Sequence, residues 1–250
     1  MGAVHICNLY AVNSTQDELR RLAEALDVDL GNFSGMSSVF PDYLAPVVRL
    51  DEGGNRRLEM MRWGFPPAEG RSDLVTNARH LSSKYWKDWL PAEWRVVVPA
   101  TAFSEYMPDP DPVTGRKPSA WFAVKDGSGE QRPLFGFAGF WCPWTGPRGK
   151  KSDPVEGDHK LFTFLTTAAN DIVKPIHNKA MPVILSPDRW EAWLTAPVDE
   201  MLLMQRPLPN DQLHVARVGP KADDDVLQAT YDREYQQLAA GRAATAAPLI

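Results

Sequence analysis

The sequence predicts a single α+β domain built on a largely antiparallel, barrel-like β-sheet with flanking helices. Many short runs of β-branched and aromatic residues alternate with turns rich in Gly, Pro, Asn and Asp, whereas helical periodicity is confined to a few places. The chain has 250 residues, enough for one large core, and no Gly/Ser-rich or Pro-rich linker divides its middle. We therefore expect one main domain.

The first elements are a strand and a helix. Residues 7–12 have the apolar character of a short strand. Thr15 followed by Glu18 forms a capping box, and leucines then recur on one helical face, which predicts a helix ending near residues 27–31.

Further strands are predicted where β-branched and aromatic residues cluster. Residues 39–50 carry two prolines and suggest an extended loop entering a strand, and the turn at 51–55 suggests a hairpin. Strands are then expected at 57–63, 95–99, 102–107, 119–124, 135–144, 161–167 and 213–218.

Two later helices and a tail complete the prediction. A short helix should carry Tyr85, Trp86 and Trp89, and a second should begin at Ser186-Pro187 with Trp190, Trp193 and Leu194 facing inward. Residues 219–250 become polar and then Ala-rich, so we expect a frayed C-terminal tail.

Composition excludes several classes of protein. The net charge of −5 and pI near 5.6 mean that the summed field will not attract nucleic acid or an anionic membrane, so any nucleic-acid site must be a local basic patch. No apolar run is long enough for a membrane span, and no signal peptide is recognised. With only two cysteines, neither a disulfide framework nor a Cys-built zinc site is expected, which fits a cytoplasmic protein without cofactors.

Four polar residues interrupt apolar or aromatic surroundings: Asn77, Arg79, Glu105 and His177. A carboxylate in the position of Glu105, between aromatic residues, would have a raised proton affinity and suit a general acid; alternatively it is a strand residue facing solvent. His177 lies on a turn restrained by prolines and is either a functional imidazole or a partner for a buried carbonyl. Arg79 suits phosphate or carboxylate, although a structural ion pair is the commoner use of arginine.

A basic and aromatic patch is found shortly after Asn77 and Arg79 in the sequence. Its members are Lys84, Tyr85, Trp86, Lys87, Trp89, Trp94 and Arg95. This composition is typical of single-strand binding surfaces, but an amphipathic helix with a solvated basic edge explains it as well. Cys142 lies among aromatic residues and is expected to be an inert buried thiol.

Seven motifs in order resemble the SRAP family, the SOS-response-associated peptidase or abasic-site-processing proteins. The motifs are Cys7-Asn8-Leu9-Tyr10, Arg62-Trp63-Gly64, Thr76-Asn77-Ala78-Arg79, Pro99 to Tyr106, Phe137 to Trp141, Thr166 to Asn170 and Pro175 to Leu185. The resemblance covers residues 7 to about 195. It implies an SRAP-like domain, for which we take residues 7–218.

The resemblance also implies an activity and roles for residues. The protein would form a covalent thiazolidine cross-link with abasic sites in single-stranded DNA, with peptidase (hydrolase) and AP-lyase activity, and act as a monomer without a membrane partner. Cys7 would be the cross-linking residue, Glu105 the acid, His177 the group assisting Schiff-base formation, and Asn77 the residue that positions the cysteine and sugar. The DNA contacts implied are Asn8, Pro46, Arg62, Trp63, Gly64, Phe65, Arg79, Lys84 and Thr166, with Arg79 on phosphates and the Trp63-Gly64-Phe65 loop wedging bases apart.

One departure from the family pattern concerns the N-terminus. Family members carry the cysteine directly after the initiator methionine, whereas residues 1–6 precede Cys7 here as an extension. Either translation starts later, or the hexapeptide is cut off by the protein itself, or the protein does not cross-link. Two other classes also remain open: a cysteine peptidase with a Cys7/His177 dyad, and a non-catalytic single-stranded DNA-binding module.

Overall fold

The architecture of the described residues is α+β, as predicted, with a five-stranded antiparallel sheet, a nine-stranded and mainly antiparallel sheet, a two-stranded hairpin and several helices. The computed structural model describes residues 8–125, 127, 132–150 and 152–246. Its strands, numbered β1 to β16 in chain order, are Tyr10–Val12, Asp27–Asp29, Met36–Val39, Leu44–Leu50, Arg56–Trp63, Asn77–Ala78, Arg95–Ala100, Ala102–Tyr106, Ser119–Val124, Phe135–Thr145, Arg148–Lys150, Asp153–Val155, Asp158–Thr167, Met181–Pro182, Ile184–Leu185 and Leu213–Gly219.

Five strands close into a barrel. The order β13-β10-β7-β4-β5 is antiparallel throughout, and a parallel pairing of β5 with β13 completes the ring. In that closing pair, Arg62 is opposite Leu161 and Trp63 is opposite Phe162. The short strands β6 and β14 both add to the C-terminal part of β13. That end of the barrel therefore gathers backbone from distant parts of the chain.

A second sheet packs against the barrel. Its strand order is β16-β9-β8-β1-β3, and every pair is antiparallel. Tyr10 of β1 is fully buried, and its ring meets those of Trp63, Phe137 and Phe164 edge-on at centroid distances of 5.3, 5.6 and 6.1 Å. Edge-to-face aromatic contacts of this kind add to the energy of apolar burial. The two sheets therefore share one hydrophobic core.

Helices flank the sheets. They are numbered α1 to α5 in chain order and span Gln16–Ala23, Lys84–Lys87, Trp190–Thr195, Val198–Leu202 and Asp225–Ala246. The capping box predicted for α1 is present, since the Thr15 side chain accepts from the Glu18 N–H and the Glu18 carboxylate accepts from the Thr15 N–H. A 3₁₀ turn, Pro187–Arg189, precedes α3, where Trp190, Trp193 and Leu194 face inward as predicted.

The expected frayed tail was wrong for its described part, because α5 occupies Asp225–Ala246. The alanines, glutamines and arginines that make this segment look featureless are strong helix formers, so propensity prevails although the segment has almost no apolar face. Within the described ranges, no helix combines the length and apolar character needed to cross a bilayer.

The structure departs from the prediction at several elements. Helix α1 ends at Ala23, and residues 27–29, where the helix was expected to end, form β2. Two further departures lie in the barrel sheet. The segment around Pro46 is not a loop but the buried middle of β4. Strand β4 pairs along its length with β5, but it pairs with β7 only at Val48. Position 46 therefore has no paired residue in β7, and a proline, which lacks the N–H, is tolerated there. Strand β6, at Asn77–Ala78, was not predicted at all.

Candidate functional site

Glu105 and His177 meet at the end of β8. The Glu105 carboxylate is buried in the strand, and its Oε2 lies 3.4 Å from Nδ1 of His177. The sheet register places Tyr10 opposite Phe103, and the Ser104 N–H donates to the Leu9 carbonyl at 2.9 Å. Continuing this antiparallel register sets Asn8 opposite Glu105. The Glu105 carboxylate, the His177 imidazole and Asn8, which directly follows Cys7, therefore lie close together.

The backbone around His177 forms a compact turn. The His177 N–H donates to the Val173 carbonyl at 2.8 Å, and the Asn170 side chain accepts the N–H groups of Ile172 and Val173. Burial of the ring lowers the pKa of His177, and the Lys179 ammonium acts in the same direction. The contact with Glu105, at 3.4 Å, is longer than a typical N–H···O hydrogen bond. The ring is therefore neutral at pH 7.

This protonation state predicts a pH dependence. Because the pKa of His177 is lower in the folded state than its ordinary value of 6.5, the unfolded chain binds the proton first as the pH falls. The resulting loss of folding free energy starts near pH 6.5 and is at most about 1.4 kcal/mol per pH unit for one proton. We expect this slope to be shallower in His177→Gln. In NMR titrations, the ring resonance that disappears in this variant should titrate below pH 6.5; titration above that value would contradict the assignment.

Asn77 and Thr166 lie on neighbouring strands. Asn77 is opposite Phe164 in the parallel β6–β13 pair, and the Thr166 hydroxyl donates to the Ala78 carbonyl at 3.3 Å. Two buried atoms at this end, Nδ2 of Asn77 and Nε2 of His177, have no hydrogen-bond partner among the described residues. Buried polar atoms are rarely left unpaired, so these two are candidates to contact a ligand.

Thr76 links this region to the first strand. Its hydroxyl donates to Oδ1 of Asn8 at 3.1 Å, and its carbonyl accepts the indole N–H of Trp63 at 2.9 Å. Asn8 follows Cys7 directly in the sequence. Cys7 itself lies outside the described residues. Thr76 thus connects Asn8 to Trp63, a link that the sequence pattern did not predict.

A groove of about 430 Å³ has Asn77 and Thr166 among its lining residues. Arg71, Arg79 and His80 contribute its polar sides, and Leu74 and Trp86 are among its apolar lining residues. Asp73 also lines it, so the groove is not purely basic.

Several expected DNA contacts lie inside the protein. Trp63 and Phe65 are fully buried, and Pro46 is buried in β4, so these side chains present no exposed face for a base. The expected wedging of bases by the two rings does not agree with this burial. Gly64 has a φ of +119°, a conformation that favours glycine, and its carbonyl accepts from Arg148 at 2.9 Å.

The remaining expected contacts differ in accessibility. Arg79 is half-buried, and its Nη1 donates to the carbonyls of Thr167 and Lys179 at 2.9 Å each, so part of this guanidinium is already used structurally. Arg62 is half-buried and donates to the Asp42 carbonyl. Lys84 is exposed, whereas Trp86 and Arg95 of the same basic and aromatic patch are buried. The patch is therefore not one continuous surface.

Comparisons with known proteins decide the family. A family model described as SOS response associated peptidase (SRAP) matches residues 6–224. The chain belongs to the SRAP family. The resemblance inferred from the seven motifs is thereby confirmed, and the match includes Cys7, Asn77, Glu105 and His177.

Relatives of this SRAP chain include two proteins of Bacillus subtilis. The abasic site processing protein YoqW is 29% identical over 200 residues, covering 76% of this chain and 80% of YoqW. The abasic site processing protein YoaM is 25% identical over 202 residues, covering 76% of this chain and 79% of YoaM.

Solved structures share the fold. A protein from Bordetella bronchiseptica aligns with a TM-score of 0.62 at 23% identity, covering 83% of this chain and 97% of its own. A protein from Bacteroides thetaiotaomicron aligns with a TM-score of 0.64 at 18% identity, covering 83% and 90% of the two chains. At these identities the likeness concerns the fold alone.

Proposed function

We propose that this SRAP chain processes abasic sites in single-stranded DNA by forming a covalent thiazolidine with Cys7. The observation that carries the proposal is the contact between Glu105 and His177 at 3.4 Å, at the point where the chain leads back to Cys7 through Asn8. Family membership and the names of the two Bacillus relatives, both abasic site processing proteins, support the abasic-site part of this proposal.

The proposed reaction joins an aldehyde to a 1,2-aminothiol. The α-amine of Cys7 attacks C1′ of the open abasic sugar, and loss of one water leaves a Schiff base. The Cys7 sulfur then adds to the C=N carbon, and the thiol proton is transferred to the nitrogen. The ring that results contains both the sulfur and the nitrogen of one residue, which explains the requirement for an N-terminal cysteine.

Glu105 and His177 divide the proton transfers. The buried carboxyl group of Glu105 donates a proton to the sugar ring oxygen as the sugar opens and takes one back from the C1′ hydroxyl. It then donates this proton to the hydroxyl that leaves as water when the Schiff base forms. The neutral imidazole of His177 accepts a proton from the attacking amine at pH 7. Asn77, with its unpaired buried amide nitrogen, holds the sugar or the cysteine in place.

The groove lined in part by Asn77 and Thr166 accommodates a neighbouring part of the DNA strand. Its volume of about 430 Å³ and its arginine side chains suit an unpaired nucleotide and its phosphate. With a net charge of −5, the protein relies on such local contacts and not on its overall field.

The chemistry requires a free amine on Cys7. In the sequence six residues precede Cys7, so the Ile6–Cys7 peptide bond must be hydrolysed or translation must begin later. Self-cleavage at this bond would account for a peptidase activity. Removal of a C2′ proton from the Schiff base would break the C3′–O bond and release the 3′ strand as its phosphate, and hydrolysis of the remaining C=N bond would complete a lyase reaction.

An adduct assay on protein made in its own host tests the proposal. Intact-mass measurement should first show Cys7 at the N-terminus. Incubation with single-stranded DNA carrying one abasic site should then give a complex that survives denaturing electrophoresis, while the same oligonucleotide without the lesion gives none. Reversible, salt-sensitive binding without an adduct would indicate a binding module, and cleavage of unrelated peptides without an adduct would indicate a cysteine peptidase.

A further inference from the structure

Gln205 lies outside every motif of the family, yet its side chain joins the two strands that carry Asn77 and Thr166. It follows α4, and its Nε2 donates to the carbonyl of Arg79 at 2.7 Å and to that of Thr166 at 3.0 Å. The last pair of β6 and β13 is Ala78 opposite Leu165. The two amide hydrogens of Gln205 therefore extend the connection between these strands by one position.

Arg79 transmits this restraint to the turn that carries His177. Its Nη1 donates to the carbonyl of Thr167 in β13 and to the carbonyl of Lys179, each at 2.9 Å. Lys179 is two residues after His177. Gln205 thus holds the backbone of Arg79, and the planar guanidinium of Arg79 fixes the C-terminal side of the turn.

The N-terminal side of the same turn is held by residues that follow Gln205. The Asn170 side chain donates to the Leu208 carbonyl at 2.9 Å. Asn210 accepts the Asp171 N–H at 3.1 Å and donates to the Asp171 carboxylate at 2.8 Å. Residues 205–210 therefore hold the His177 turn at both ends.

We propose that Gln205 is a positioning residue, which sets the place of the His177 imidazole relative to Glu105 through the carbonyl of Arg79. Its effect on the reaction rests on the function proposed above, but its effect on the ring does not. Small displacements of a reacting group reduce rates strongly, because the geometry of proton transfer tolerates little error. Loss of the Gln205 amide lets Arg79 and the turn relax together.

The first test needs no DNA. Gln205→Met keeps the length of the side chain and removes both N–H donors. Gln205→Glu keeps the shape of the side chain but places a carboxylate oxygen, which cannot donate, against the carbonyls of Arg79 and Thr166. In both variants we expect the NMR resonance of the His177 ring to shift and its titration to move. Gln212→Met, at an exposed glutamine on the same connection, should leave both unchanged. A His177 resonance that superimposes on that of the wild-type protein in both Gln205 variants would overturn the proposal.

The second test measures the reaction. With saturating abasic-site oligonucleotide, Gln205→Met should lower the cross-linking rate about tenfold, while the DNA concentration at half-saturation changes less than about twofold. A shifted His177 ring resonance together with an unchanged cross-linking rate would refute the role of Gln205 in catalysis. If wild-type protein with Cys7 at its N-terminus forms no adduct, the proposed function fails, whereas the NMR comparison still decides whether Gln205 positions His177.

Discussion

Replacing Cys7 by alanine is expected to reduce the denaturation-resistant adduct with abasic-site DNA to background. An N-terminal alanine keeps the α-amine and still forms a Schiff base, but without sulfur that linkage stays open to hydrolysis. Borohydride reduction during the reaction should therefore recover an adduct with Cys7→Ala. Both measurements are made on denaturing gels with protein whose N-terminus has been established by mass.

Cys142 provides the matched control. It is buried in β10, and burial raises the pKa of its thiol to about 12, so it is not a nucleophile near neutral pH. Cys142→Ala should form the adduct without reduction, at the wild-type rate. An unreduced adduct of wild-type yield from Cys7→Ala, or its loss in Cys142→Ala, would show that the reacting sulfur has been assigned wrongly.

Replacing Arg95 by methionine should lower the free energy of unfolding by about 2–4 kcal/mol. The Arg95 side chain is 1% exposed and donates to three carbonyls, those of Leu90 at 2.9 Å, Trp193 at 3.2 Å and Ala196 at 2.6 Å. Burial lowers its pKa, but a guanidinium stays charged. Methionine fills much of the volume and leaves these acceptors without a donor, at the point where α3 is attached to the barrel.

Denaturant unfolding measures this effect, and Arg189→Met is its control. Arg189 lies on the 3₁₀ turn before α3 and is exposed, so its replacement should change stability by no more than about 0.5 kcal/mol. Equal stabilities for the two variants would show that the carbonyl contacts of Arg95 contribute nothing.

Local patterns predicted the elements that depend on local chemistry. The capping box at Thr15 and Glu18, the valine run of β7 and the hairpin before β5 each carry their signal within a few residues. The motif series also predicted that Glu105 and His177 belong to one site, and in the structure their side chains are in contact. The motifs lie on strands and turns that are distant in the sequence, and two of them, Pro99 to Tyr106 and Pro175 to Leu185, each span more than one element.

The features that sequence reasoning missed depend on contacts between distant residues. Strand β6 has only two residues, too few for any periodicity, and forms through its pairing with β13. Trp63 and Phe65 resemble an exposed aromatic loop in sequence, but the rings turn into the core. Gln205 belongs to no motif, and a lone glutamine in a connection has no signal until its two carbonyl partners are known.

The barrel closes between a strand ending at Trp63 and one ending at Thr167, and the contacts behind His177 span still longer stretches of chain. Arg79 and Lys179 are separated by 100 positions, and Gln205 and Arg79 by 126. Such contacts form only after the intervening polypeptide exists. A nascent chain halted on the ribosome before residue 205 therefore lacks the contact of Gln205 that helps to hold the His177 turn. On this basis the proposed chemistry begins only when nearly the whole domain has been synthesised.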